Sequence, residues 1–164
     1  MRTFILLLIL LVGWYNNVSN TVPDKPTRTT IINIENSLPT VLEDSLRTKL
    51  ANYIFLWSDP IPPKVIVSII HIESNGDINA TGIAGEQGLM QIYPKFWKDK
   101  FISCGENLYD PITNICYGIN ILKLHYSETN DLKQTIQLYN GTLKNTDYLN
   151  NVLLNLVELS LKEG

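Results

Sequence analysis

The chain is poor in the residues that hold metals. Its 164 residues include two histidines and two cysteines. There is no Cys-x-x-Cys pair, so no zinc site is expected, since such a site needs about four clustered nitrogen or sulfur ligands. Nor is there an excess of positive charge. Thirteen Lys and Arg against sixteen Asp and Glu leave a net charge of -3, and nucleic-acid binding, which wants a basic face, is not expected. No unit repeats along the chain and no segment is of low complexity, which sets aside solenoids and arrays. No convincing strand-like alternation of apolar and polar residues occurs either. Apolar residues nevertheless make up 45% of the chain, enough for one core, and the length suits one domain of ordinary size plus a tail.

One long hydrophobic run exists, Phe4–Val12, preceded by Arg2 and closed by Gly13 and Trp14. A membrane-spanning helix needs about 20 apolar residues and a signal-peptide core about 7–15, so the run fits the second. The Asn-rich stretch after it offers no small-x-small cleavage site. Residues 1–14 are therefore read as a signal peptide or an uncleaved signal anchor, and either reading puts the rest outside the cytoplasm. The protein is then released or tethered to the membrane by its N-terminus. Residues 15–37, rich in Asn, Thr and Pro, read as a linker with a short extended piece at 31–34.

The folded domain is expected over 38–164 and is all-α. Ser37 is suited to cap a first helix in which Leu42, Leu46, Leu50, Ile54 and Trp57 recur at helical spacing. A second helix starts at Pro62-Pro63 and runs to Glu73. A short one opens at Pro94. Another starts at Pro111, with Ile112, Ile115, Ile119, Leu122 and Tyr126 as its buried stripe. Asn130 or Asp131 caps a helix ending at Tyr139-Asn140, stopped by Gly141. The last helix uses Leu149, Val152, Leu153, Leu156, Val157 and Leu161. Cys104 and Cys116 flank the Asp110-Pro111 turn, and a disulfide and a buried thiol at Cys116 are both open readings.

The chemistry concentrates between His71 and Tyr93. Ile66, Ile69, Ile70 and Glu73 share one helix face, and a carboxylate in line with an apolar face is costly to ionise. Its pKa is therefore expected above the ordinary value of about 4.3. Glycines follow at 76, 82, 85 and 88, and then Leu89-Met90-Gln91-Ile92. Together with Glu73-Ser74, Asp110-Pro111-Ile112-Thr113-Asn114-Ile115, Tyr139-Asn140-Gly141 and Tyr148-Leu149-Asn150-Asn151-Val152, this pattern resembles the catalytic domain of the lytic transglycosylases. These are lysozyme-like enzymes of bacterial and phage origin that cut peptidoglycan. The likeness extends over about residues 40–160.

The resemblance implies an α-helical lysozyme-like fold and a reaction without metal or organic cofactor. It makes Glu73 the acid that protonates the leaving oxygen between N-acetylmuramic acid and N-acetylglucosamine. Glu73 then serves as the base that takes the C6 hydroxyl proton, closing a 1,6-anhydro ring. It also implies substrate-binding roles for Ser74, Met90, Gln91, Tyr139 and Asn140, with the Tyr139 hydroxyl near the acid and on its carboxyl. Peptidoglycan strands are the implied partner. Most glycosidases use two carboxylates, and here a second is not evident, since Asp77 and Glu86 are candidates only by proximity in sequence. Many members carry a serine where this chain has Gly82, and Thr81 beside it is a candidate to supply the hydroxyl. A hydrolase like the goose-type lysozymes and a non-catalytic peptidoglycan-binding or assembly component are the alternatives.

Overall fold

The computed structural model describes residues 28–144 and 146–162. The apolar run 4–12 and residues 15–27 of the expected linker lie outside these. Seven α-helices follow one another among these described residues: α1 (Arg28–Ser37), α2 (Asp44–Trp57), α3 (Pro63–Glu73), α4 (Pro94–Trp97), α5 (Pro111–Thr129), α6 (Leu132–Tyr139) and α7 (Thr146–Leu161), with a 3-10 turn at Ile102–Cys104 before α5. Among the described residues there is no strand beyond two isolated bridges, and no helix long and apolar enough to cross a membrane. The expected all-α class holds.

Residues 28–37 correct the linker reading. The stretch expected to contain an extended piece is helical, because Ile31, Ile34 and Leu38 fall on one face and dock against the core. The modest helix propensity of β-branched residues gives way to that burial. Ser37 therefore ends α1 rather than capping the next helix, and its carbonyl accepts from Nε2 of His71 at 2.9 Å. Pro39 belongs to the connecting turn and α2 starts at Asp44. Leu50 and Ile54 are buried as expected, whereas Trp57, at the helix end, is 57% exposed.

Helix α3 is the axis of the domain. Its six consecutive residues Val65–Ile70 are all buried, as a helix that is apolar all round must be, and α1, α2 and α7 pack around it. Truncating Ile66, Ile69 or Ile70 to Ala should cost about 2–5 kcal/mol. Its start is set by Pro62-Pro63, where proline lacks the donor that a first turn cannot use.

Helix α5 begins where Asp110 accepts from the Thr113 backbone N–H at 2.8 Å, with Pro111 in its first turn. It ends at Asn130 in the left-handed conformation. The cap of α6 is then Asp131, whose carboxylate takes the N–H groups of Lys133 and Gln134. On α7 the buried residues are Tyr148, Val152 and Leu159, while Val157 and Leu161 of the expected stripe face solvent. Cys104 and Cys116 form a disulfide with Cα atoms 5.6 Å apart, so the bridged reading holds and the 3-10 turn is tied to α5.

Candidate active site

The twenty residues between α3 and α4 fold into a loop built on polar contacts rather than on repeating backbone pairs. Ser74, just past the end of α3, donates from Oγ to the carbonyl of Leu89 at 2.8 Å and accepts from the Gly76 N–H at 3.1 Å. It fastens the outgoing helix end to the returning half of the loop. From below, the buried side chain of Asn114 on α5 accepts from the Met90 N–H and donates to the carbonyls of Gln87 and Leu108, each at 2.7 Å. Gly88 makes this approach feasible. Its φ is +72°, and a Cβ there would come within 2.5 Å of the Leu108 carbonyl. Only glycine takes that conformation and that contact without strain.

The loop sets Gln91 in the left-handed region, φ +48°, a conformation that costs a non-glycine residue about 1 kcal/mol or more. Its amide nitrogen holds it there by donating to the carbonyls of Gly88 at 2.9 Å and Ala80 at 3.2 Å. Met90 goes the other way. It is fully buried and lies so close over Gly118 of α5 that a Cβ at 118 would collide with its sulfur. Its side chain is core and does not face the cleft.

Glu73 occupies the last position of α3, where the helix dipole is negative and opposes a further anion. Its Oε1 accepts a 2.6 Å hydrogen bond from the hydroxyl of Tyr148 on α7. Burial pushes the Glu73 carboxyl up to about 7; the Tyr148 hydrogen bond opposes this and the charge of Glu86 adds to it. Near neutral pH a large share of Glu73 is therefore protonated. With Tyr148 donating to Oε1, the proton belongs on the other oxygen. Burial and the Glu73 charge in turn raise the phenol of Tyr148, which keeps it a donor.

The Glu73 side chain faces a groove of about 630 Å³. One wall is the loop, with Ala84, Glu86 and Gln91; another is aromatic, with Tyr93, Phe96 and Trp97; the third is the end of α6, with Leu138, Tyr139, Asn140 and Gly141. Tyr93 and Phe96 meet edge to face at 4.8 Å, and Phe96 is largely exposed at the rim. No lysine, arginine or histidine among the described residues lines the groove. Among the described residues no cluster of three or more His, Cys, Asp or Glu could hold a metal ion.

The structure thus brings Glu73, Gln91, Tyr139 and Asn140 to one groove, with Ser74 behind it as a loop fastener and Met90 beneath it. The tyrosine on the acid is not the one expected. The Tyr139 hydroxyl donates to the Met90 carbonyl at 2.8 Å, and Tyr148 takes the place on Glu73. Nothing local in the sequence distinguishes the two, because both are tyrosines of the C-terminal helices and only the α3–α7 packing brings Tyr148 over. Asp77 accepts from the Asn79 N–H in an exposed turn and does not line the groove. The Thr81 hydroxyl is paired with that of Tyr109 at 2.8 Å, outside the residues lining the groove, so it does not stand in for a side chain at 82.

A relative named Transglycosylase, from Enterobacteria phage PRD1, is 28% identical over 81 residues, which is 49% of this chain and 29% of that protein. The match thus spans less than a third of that relative's own length. No solved structure matches. The family model of the transglycosylase SLT domain matches residues 56–152, a span that carries α3, the loop with Gln91, and both Tyr139 and Tyr148. The chain therefore belongs to the transglycosylase SLT domain family, of the lysozyme-like superfamily.

Proposed function

We propose that the chain is a peptidoglycan lytic transglycosylase that cleaves the β-1,4 bond between N-acetylmuramic acid and N-acetylglucosamine and leaves a 1,6-anhydro end. The observation that carries this reading is Glu73: a carboxyl held protonated to about pH 7, oriented by Tyr148, on a groove of about 630 Å³ with an aromatic wall. The proton of Glu73 goes to the leaving glycosidic oxygen as that bond breaks. The carboxylate left behind, anchored through Oε1, takes the proton of the C6 hydroxyl as its oxygen closes on the anomeric carbon. One group serves as acid and then as base, which its near-neutral pKa favours in both directions. The aromatic wall of Tyr93, Phe96 and Trp97 suits the apolar faces of sugar rings, and the Gln91 amide oxygen and Asn140 lie on the same groove, beside the place of their polar groups. Binding through shape and hydrogen bonds fits an anionic polymer and an anionic protein.

The test is mass spectrometry of the muropeptides released from purified cell wall. Anhydro ends, lighter by one water than reducing ends, support the reading, and their absence from a digest that is otherwise cut refutes the transglycosylase step. Glu73→Gln should lower cleavage by several orders of magnitude, and a variant within about tenfold of wild type would remove Glu73 as the acid. Export belongs to the same proposal. It is supported by the apolar run 4–12 and by the disulfide, which persists in oxidising compartments. A reporter active only after export, fused to residues 1–40, should switch on.

A further inference from the structure

Glu86 is left unused by this mechanism, and its surroundings are unusual for a loop carboxylate. The segment from Gly82 to Glu86 closes on itself, with the Gly82 N–H donating to the Glu86 carbonyl at 2.9 Å and the Gly85 N–H to the Gly82 carbonyl at 3.1 Å. The Glu86 side chain folds back over this turn and accepts from the Ala84 N–H on Oε2 at 3.1 Å. That brings the carboxylate against the Cα of Gly82. A Cβ at 82 would collide with it and would lie 2.8 Å from Oε1 of Gln91. Glu86 therefore fills the room that a side chain at 82 would take, next to Gln91, on the wall of the groove that Glu73 faces.

We propose that Glu86 is a second functional carboxylate of this cleft, seated in the space Gly82 leaves open and acting as base toward a water molecule, so that part of the product carries hydrolysed, reducing ends. This rests on the reading of the groove as a site of glycan cleavage. In the water branch the glycosidic bond breaks and its oxygen takes the proton of Glu73. The water oxygen bonds to the anomeric carbon, and the water proton passes to Glu86. Proton exchange with solvent then restores both carboxyls. Among the described residues, the titratable groups lining the groove are Glu73 from α3, Glu86 and Tyr93 from the loop region, and Tyr139 from α6. With no cation among them, the field of Glu86 acts on Glu73 directly and raises it. A carboxylate that merely capped the Ala84 N–H would affect the stability of the turn and not the products.

The experiment compares wild type, Glu86→Gln and Gly82→Ala on purified cell wall, counting reducing and anhydro ends by mass. Gly82→Ala keeps the carboxylate but displaces it. The clashes are with the ends of two side chains, Glu86 and, less closely, Gln91, and Gly82 does not need a positive φ, so the variant should fold. Glu86→Gln, which leaves Gln91 untouched, separates the two contacts. Wild type should give both kinds of end. In each variant the ratio of reducing to anhydro ends should fall about tenfold or more, and the alkaline limb of the Glu86→Gln pH–rate profile should move to lower pH as the like charge is removed. Wild type giving anhydro ends alone, or a ratio unchanged in Glu86→Gln, overturns the role of Glu86 and leaves the transglycosylase reading standing. A wild type that cuts nothing refutes both.

Discussion

Glu73→Gln should stabilise the protein, and only at the pH where the acid would otherwise be charged. The folded chain holds the Glu73 proton to about pH 7, against an ordinary value of 4.5. Folding therefore favours the protonated form, so the stability linked to this group is fully present below about pH 4.5 and is lost as pH rises through about 7. The shift of about 2.5 pH units, at about 1.4 kcal/mol per unit, corresponds to at most about 3.5 kcal/mol. The amide keeps the oxygen that accepts from Tyr148 and never ionises. Its stability should match wild type near pH 4.5 and exceed it by up to about 3.5 kcal/mol at pH 8, or roughly 10 °C in Tm for a domain of this size. Denaturant unfolding of both proteins at a series of pH values reads the difference directly. A difference that stays flat from pH 4.5 to 8 would refute the desolvated-acid account, because no raised pKa could then exist in the folded state.

Tyr148→Phe removes the hydrogen bond that lowers the acid, so the alkaline limb of its pH–rate profile should move above that of wild type, with turnover down about 10–100-fold as the loss of a bond of about 1.5–3 kcal/mol implies. Tyr139→Phe should leave that limb in place and cost about 1 kcal/mol of stability, because its bond is to the Met90 carbonyl. Equal pH profiles for Tyr148→Phe and wild type would show that the acid is oriented by something else. Asn114→Ala leaves the buried Met90 N–H and the Leu108 carbonyl without this partner, while the Gln87 carbonyl keeps the Ile92 N–H, and should destabilise by about 3 kcal/mol or more in denaturant unfolding. A loss below about 0.5 kcal/mol would mean the loop is not held from α5.

Local sequence was enough for the helices whose ends carry their own chemistry. Pro62-Pro63 starts α3, Pro111 behind Asp110 starts α5, and Asp131 starts α6, because each of these residues acts on backbone within one turn. The apolar periodicity of α3 also placed Glu73 at its end, in line with a buried face, and from that a raised pKa followed. Residues 28–37 went the other way: Asn, Thr and Ile in a row carry weak local preference, and only docking of Ile34 on the core makes them helical. Met90 and Gln91 are adjacent and equally suggestive in sequence, yet the left-handed turn at Gln91 sends one into the core and the other into the groove. The partner of the acid was likewise decided in three dimensions. Glu73 and Tyr148 are 75 residues apart, and their contact exists because α7 packs along α3. Glu86 is the same case at short range: its place beside Gly82 depends on how the loop closes. A sequence specifies which groups are available for chemistry, whereas long-range packing selects which of them share one low-dielectric space.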